Sequence, residues 1–226
     1  MNRVQGVVKM HFKDKWLWFF LPCLILFSSF IVNLIIGYFI TDAIYTGGIS
    51  SFYLYMLVMG IISLAQSFPF ALGFSVRRTD YFWGTVATVA GVGVIMAILM
   101  LLLSFVEQWT GSWGVDLHFF NLPYLNEGIA AELLWVNFSI IMNMFFLGFF
   151  ISSIYRRFGK SGMFTFFILL MLLSTVSVYL ITFNYWWGDI FRWLSSHTAS
   201  ELAFWALPFT VCYILLSYLN LRRATI

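Results

Sequence analysis

Residues 82–106 read FWGTVATVAGVGVIMAILMLLLSFV, a run without a single Asp, Glu, Lys, Arg or His. As a helix rising 1.5 Å per residue it is about 37 Å long, enough to cross the roughly 30 Å hydrocarbon core of a bilayer. Barrel strands of about ten residues alternate apolar with polar side chains, and this run does not. The stretch therefore predicts an all-α, polytopic membrane protein.

The rest of the 226-residue chain agrees. It is 62% hydrophobic and 21% aromatic but only 9% charged, where a soluble domain carries about a quarter charged residues. A cytosolic enzyme, a disulfide-built secreted domain and a nucleic-acid-binding module are disfavoured together. Five further charge-free runs stand beside the first, so six spans are expected, at about 16–40, 52–74, 82–106, 133–155, 163–183 and 203–221. Residues 1–15 precede this transmembrane domain (16–221), and 222–226 form a short tail. The first run is too long for a signal-peptide core and lacks a small-x-small cleavage site, so it is expected to be retained.

Charge sorts between the connections. Arg3, Lys9, Lys13, Lys15, Arg77, Arg78, Arg156, Arg157, Lys160, Arg222 and Arg223 share one side and only Arg192 lies opposite. With Asp14 and Asp80 the basic side carries +9, and seven acidic residues with Arg192 leave the other at −6, together the formal +3. Lys and Arg in short loops resist translocation, which predicts cytoplasmic termini and a multi-pass protein of the cell (plasma) membrane. Tryptophan, which prefers the headgroup level, avoids every mid-span position.

The spans as drawn hold no ionisable group of the kind that ion-coupled carriers and intramembrane hydrolases place at membrane depth. Glu132, in a first helical turn, reads either as an interfacial carboxylate matched to the helix dipole or as a functional acid. Cys23 and Cys212 fall inside spans and read as small hydrophobes. His11, His118 and His197 are isolated, so no metal site is expected. Gly159-Lys160-Ser161 imitates the end of a phosphate-binding loop, but the leading glycine is replaced by Ile154 and no strand precedes it. It reads as a five-to-seven-residue turn. Neither a catalytic residue nor a cofactor is expected in this chain.

Two readings stand for the polar residues of the spans. Asn33, Gln66, Asn137 and Asn143, with Pro69, either line a translocation path or bond helix to helix; Pro69 frees a backbone carbonyl. Small-xxx-small spacings at 84/88 and 87/91 offer a close-approach face. Val4, Val7, Val8 and Phe12 share one arc of a helix with Lys9 and Lys13 opposite, predicting an amphipathic helix on the inner surface, with a disordered basic tail as the other reading. Ser75, Val76, Arg77, Arg78, Thr79, Asp80 and Tyr81 form a short connection that suits docking into a partner's groove or anchoring to phosphates. Residues 184–202 carry Trp187, Ile190, Phe191 and Leu194 at helical spacing, a helix dipping into the outer leaflet, and the loop from Glu107 to Gly128 reads as an aromatic cap.

This layout resembles the permease subunits of type-2 ATP-binding cassette exporters. The resemblance rests on the amphipathic elbow helix, the six spans with both ends inside, the short Arg77-Arg78-Thr79-Asp80-Tyr81 segment, the membrane-dipping 184–202 and the basic tail Leu221-Arg222-Arg223-Ala224. It implies a dimer with a second permease copy, homo- or heteromeric, served by cytoplasmic ATPase subunits that hold ATP and Mg. Residues 75–81 would then be the coupling segment. The cargo would be amphipathic or hydrophobic, such as a peptide or antimicrobial. A non-transporting membrane scaffold or immunity protein is the alternative. No nucleic-acid partner is expected.

Overall fold

The computed structural model describes residues 3–40, 42–124 and 129–224. Residues 1–2 of the surface segment, Thr41, residues 125–128 of the aromatic loop and residues 225–226 of the tail lie outside the described residues. Apart from turns and connections, the described residues are helical, with one pairing of two-residue strands among them. The helices are α1 (Arg3–Lys13), α2 (Trp16–Tyr38), α3 (Ser50–Gly73), α4 (Arg78–Trp109), α5 (Ala130–Phe183), α6 (Trp187–Ser195) and α7 (Ala199–Arg222). Five of them, α2, α3, α4, α5 and α7, are long and apolar enough to cross a membrane.

At 54 residues, α5 would reach about 81 Å if straight, more than twice a bilayer core. It breaks at Gly159, whose φ of 68° and ψ of −161° belong to a region essentially reserved for glycine. The rings of Phe150 and Phe166 then meet at 5.9 Å, where an unbroken helix would hold them about 24 Å apart. The expected loop of five to seven residues is thus a reversal at a single residue.

The leg 130–158 is the axis of the fold. It runs parallel to α7, through Ser139 Oγ to Ala203 O at 3.2 Å, Asn143 Nδ2 to Thr210 Oγ1 at 2.9 Å and Asn220 Nδ2 to Ser153 Oγ at 3.0 Å. It also runs parallel to α3, through Tyr53 OH to Asn137 Oδ1 at 2.5 Å and Arg156 Nη2 to Ala65 O at 2.6 Å. It is antiparallel to α4, where Phe82 lies 6.2 Å from Phe149 and Gly93 faces Phe138. Phe145, Phe146 and Phe149 are fully buried where these helices meet.

Small residues set how closely the axis is approached. A Cβ on Gly60 would collide with the Phe145 carbonyl, and one on Gly148 with the Leu57 carbonyl, so α3 and α5 cross backbone to backbone. Gly84 makes room for Val7 of α1, while Gly91 faces open space. Only the first of the two expected small-residue spacings therefore receives a neighbour at its glycine. The leg 160–183 and α6 expose nearly every side chain. That exterior of Phe, Leu, Met and Trp suits hydrocarbon rather than water.

At the opposite end from the basic residues, α4 continues to Trp109 and carries Glu107 with it, fully buried. Its carboxylate accepts from Trp113 Nε1 at 3.0 Å and from the backbone N–H groups of Phe119, Phe120 and Asn121 at 3.2, 2.8 and 3.0 Å. The loop is thereby folded over the bundle, and Leu117–His118 pairs in parallel with Ile44–Tyr45. The expected aromatic cap exists over the described part of the loop: Phe30 packs on Trp113, Phe119 and Phe120. The sequence map put Glu107 in a connection; it is a buried helical residue because the loop returns to cover it.

Gly148→Ala should destabilise the chain by about 1–3 kcal/mol through overpacking, read as a lower unfolding midpoint in detergent. Gly91→Ala, with space around it, should be neutral or raise that midpoint through helix propensity. Equal midpoints for the two variants would refute the crossing.

Candidate functional site

The basic residues other than Arg192 gather at one end of the bundle. Arg78 Nη1 donates to Arg222 O at 3.2 Å, and Arg157 Nη1 to Asn220 Oδ1 at 3.0 Å. Arg156 reaches α3 and α1 packs on the start of α4. The 75–81 segment is at this end, but it is mostly helix. Only residues 74–77 connect α3 to α4, with Ser75 at φ 58° and Arg77 extended. Ser75 and Arg77 are exposed, Val76, Arg78, Thr79 and Asp80 half-buried. Tyr81 turns inward, fully buried, and donates to Ser63 O at 3.0 Å beside Ser67 Oγ at 2.7 Å.

α1 forms as the spacing predicts, with a different inner face. Val7 and His11 are buried against α4, while Val4, Val8 and Phe12 are half-buried. His11 Nε2 lies 3.1 Å from Thr85 Oγ1. Since the Thr85 hydroxyl donates to Tyr81 O at 2.9 Å, the imidazole is the donor to Thr85 and Nδ1 is left as the acceptor of the neutral ring. Desolvation pushes the His11 pKa down to about 4.

Two helical segments at this end widen into π turns, Trp16–Phe20 in α2 and Ser63–Ser67 in α3, a distortion common at functional sites. Each is followed by a proline. In the π register Leu21 N–H bonds Trp16 O, so the next carbonyl, Leu17 O, faces Pro22, which has no N–H; Tyr55 OH donates to it at 2.8 Å. Pro69 has no N–H for the carbonyl four residues back, Ala65 O, which an α-helical register would pair with it, and Arg156 takes that carbonyl at 2.6 Å. Pro69 does free a carbonyl, and a cation from another helix answers it.

The two π turns and α1 enclose a cavity of about 260 Å³ lined by Met10, His11, Asp14, Leu17, Trp18, Ile62, Ser63, Gln66, Ser67 and Phe70. Of the expected path residues Gln66 lines this cavity and Pro69 does not. The other path candidates are engaged within the bundle. Asn33 donates to Ser29 O at 2.8 Å and accepts from Thr46 Oγ1 at 2.8 Å. Asn137 joins Leu133 O to Tyr53, and Asn143 joins Thr210. A larger cavity, about 710 Å³ and mostly apolar, opens at the other end between α6, α7 and the leg 130–158, walled by Val136, Ile140, Phe191, Leu194 and Leu202, with His197 also lining it.

Sequence reasoning passed over His11, Asp14 and Ser63. The spacing Val4, Val7, His11 was the available sign that the histidine shares the packed arc. Among the described residues no cluster of His, Cys, Asp or Glu could hold a metal ion. No family model, curated protein or solved structure matches this chain.

Arg156→Ala should cost about 1–3 kcal/mol by orphaning the Ala65 carbonyl. Pro69→Ala, which restores an N–H, should recover most of that loss in the double variant. Simple additivity in a double-mutant cycle of unfolding midpoints would refute the pairing. A second outcome concerns pH. Because the folded pKa of His11 lies below its ordinary 6.5, at about 4, the unfolded chain binds more protons between these values. Stability should be full above pH 6.5 and fall toward pH 4, and His11→Gln should flatten that window.

Proposed function

We propose that this chain is the membrane-spanning permease subunit of an ATP-driven exporter of the type-2 ATP-binding cassette kind, with six crossings and cytoplasmic ends. The observation that carries the reading is the gathering of its basic connections: α1, the 74–77 connection, the Gly159 reversal and the end of α7 share one end of the bundle. A soluble ATPase pressing on that end would meet Ser75 and Arg77, the exposed residues of the coupling segment, and move α3 and α4 together. Six crossings are supported by parallel packing of the leg 130–158 with α7, since the chain between them must return across the bundle. The exposed leg 160–183 offers an apolar surface to a second permease copy or to lipid.

The cargo we favour is amphipathic or hydrophobic, in keeping with the apolar 710 Å³ cavity beside α6. ATP and Mg would be held by the partner, and this chain would do no chemistry. One observation favours the alternative of a non-transporting scaffold or immunity protein: Asn33, Asn137 and Asn143 are spent on bonds within the bundle rather than facing a path.

Purification of the intact chain from its native membrane in mild detergent should bring down a cytoplasmic ATPase. Changing the exposed Arg77 to Glu should release it without lowering the chain's own unfolding midpoint. A chain that purifies free of any ATPase, from membranes where both are abundant, would favour the scaffold.

A further inference from the structure

The cavity at the basic end has an unusual lining. Its walls are two π turns and α1, and it carries polar groups with bonding capacity to spare. Ser63, 2% exposed, has a buried hydroxyl with no hydrogen-bond partner. Asp14 spends Oδ1 on the Leu17 N–H at 3.2 Å, which leaves Oδ2 free of that bond. His11 offers an acceptor nitrogen, and the Gln66 amide lines the same wall. Among the described residues lining the space Asp14, itself exposed, is the one formally charged group. On either side of it in sequence stand Lys13 and Lys15, both exposed.

Asp14 is exposed, so a ligand for such a site brings hydrogen-bond donors inward and carries positive charge at the mouth, where Asp14 stands, with negative charge beside it for the lysines. At about 260 Å³ the space falls just below the usual range for drug-sized ligands and suits a small head group. Phe70, on the cavity wall, is 57% exposed, so the mouth gives onto apolar surface where acyl chains would run.

We propose that this cavity binds the head of one bilayer lipid carrying a primary ammonium next to a phosphate, an ethanolamine phospholipid. The ammonium donates to Asp14 and toward Ser63 and Gln66, and the phosphate meets Lys13 and Lys15. A choline head has no N–H to donate, and an anionic head would bring like charge to Asp14. The assignment requires a chain seated in a bilayer and is independent of any transport role.

The test is native mass spectrometry of the full chain, delipidated in detergent and offered equimolar dioleoyl phosphatidylethanolamine, phosphatidylcholine and phosphatidylglycerol. One ethanolamine lipid should be retained per chain, with at least about tenfold preference over the choline lipid, because the contact is a charge-assisted hydrogen bond. The mono- and dimethylated lipids should fall in between, a series that needs no variant. Asp14→Asn should remove the preference and Ser63→Ala should weaken it. Equal retention of ethanolamine and choline lipids would overturn the proposal, as would a preference untouched by both variants. Displacement by soluble phosphoethanolamine at the same concentration would also overturn it, by assigning the site to a free solute.

Discussion

A backbone carbonyl inside a bilayer has no water to turn to, and leaving one unpaired costs several kcal/mol. Toward its basic end this chain has two carbonyls that face prolines, Pro22 and Pro69, each one residue beyond a π turn. Both are answered from another helix, Leu17 O by Tyr55 and Ala65 O by Arg156. Those donors tie α2 to α3 and α3 to α5, so a local defect becomes a tertiary restraint. The widened turns also keep their side chains apart, which opens the cavity between them.

Close approach of backbones does the remaining work of assembly. Without water between helices to expel, association in lipid relies on packing and hydrogen bonds. The Gly60 and Gly148 crossing brings α3 and α5 to contact distances that any side chain would forbid, and Gly84 does the same for α1. Around these contacts Tyr53 with Asn137 and Asn143 with Thr210 lock rotation of the helices. The leg 160–183 has no comparable device over most of its length. It is joined to the rest by the Gly159 reversal and by contacts such as Phe150 with Phe166.

The two ends are built on opposite electrostatics. Glu107 is held by an indole and three backbone N–H groups, a dipolar cradle that stabilises the carboxylate without any Lys or Arg. At the other end guanidinium groups find carbonyls and an amide, as Arg78 does with Arg222 O and Arg157 with Asn220. Glu107, Arg78, Arg156 and Arg157 thus bond to polar atoms of other segments, and His118 stands 3.8 Å from the Glu107 carboxylate.

Composition, charge-free runs and the order of basic residues already specify a helical chain with apolar helices of membrane length, because hydropathy and helix length are local properties read residue by residue. The amphipathic α1, the surface helix α6 and the freed carbonyl at Pro69 were legible for the same reason. Which amides are spent on packing, which glycine meets which backbone and where a hollow remains were not. Asn33 and Gln66 look alike in sequence, yet one is saturated by Ser29 and Thr46 while the other lines a cavity. Glu107 reads as a loop acid until residues 113–121 fold back onto it. Such distinctions depend on partners dozens of residues away, and only the packed chain brings those partners within reach.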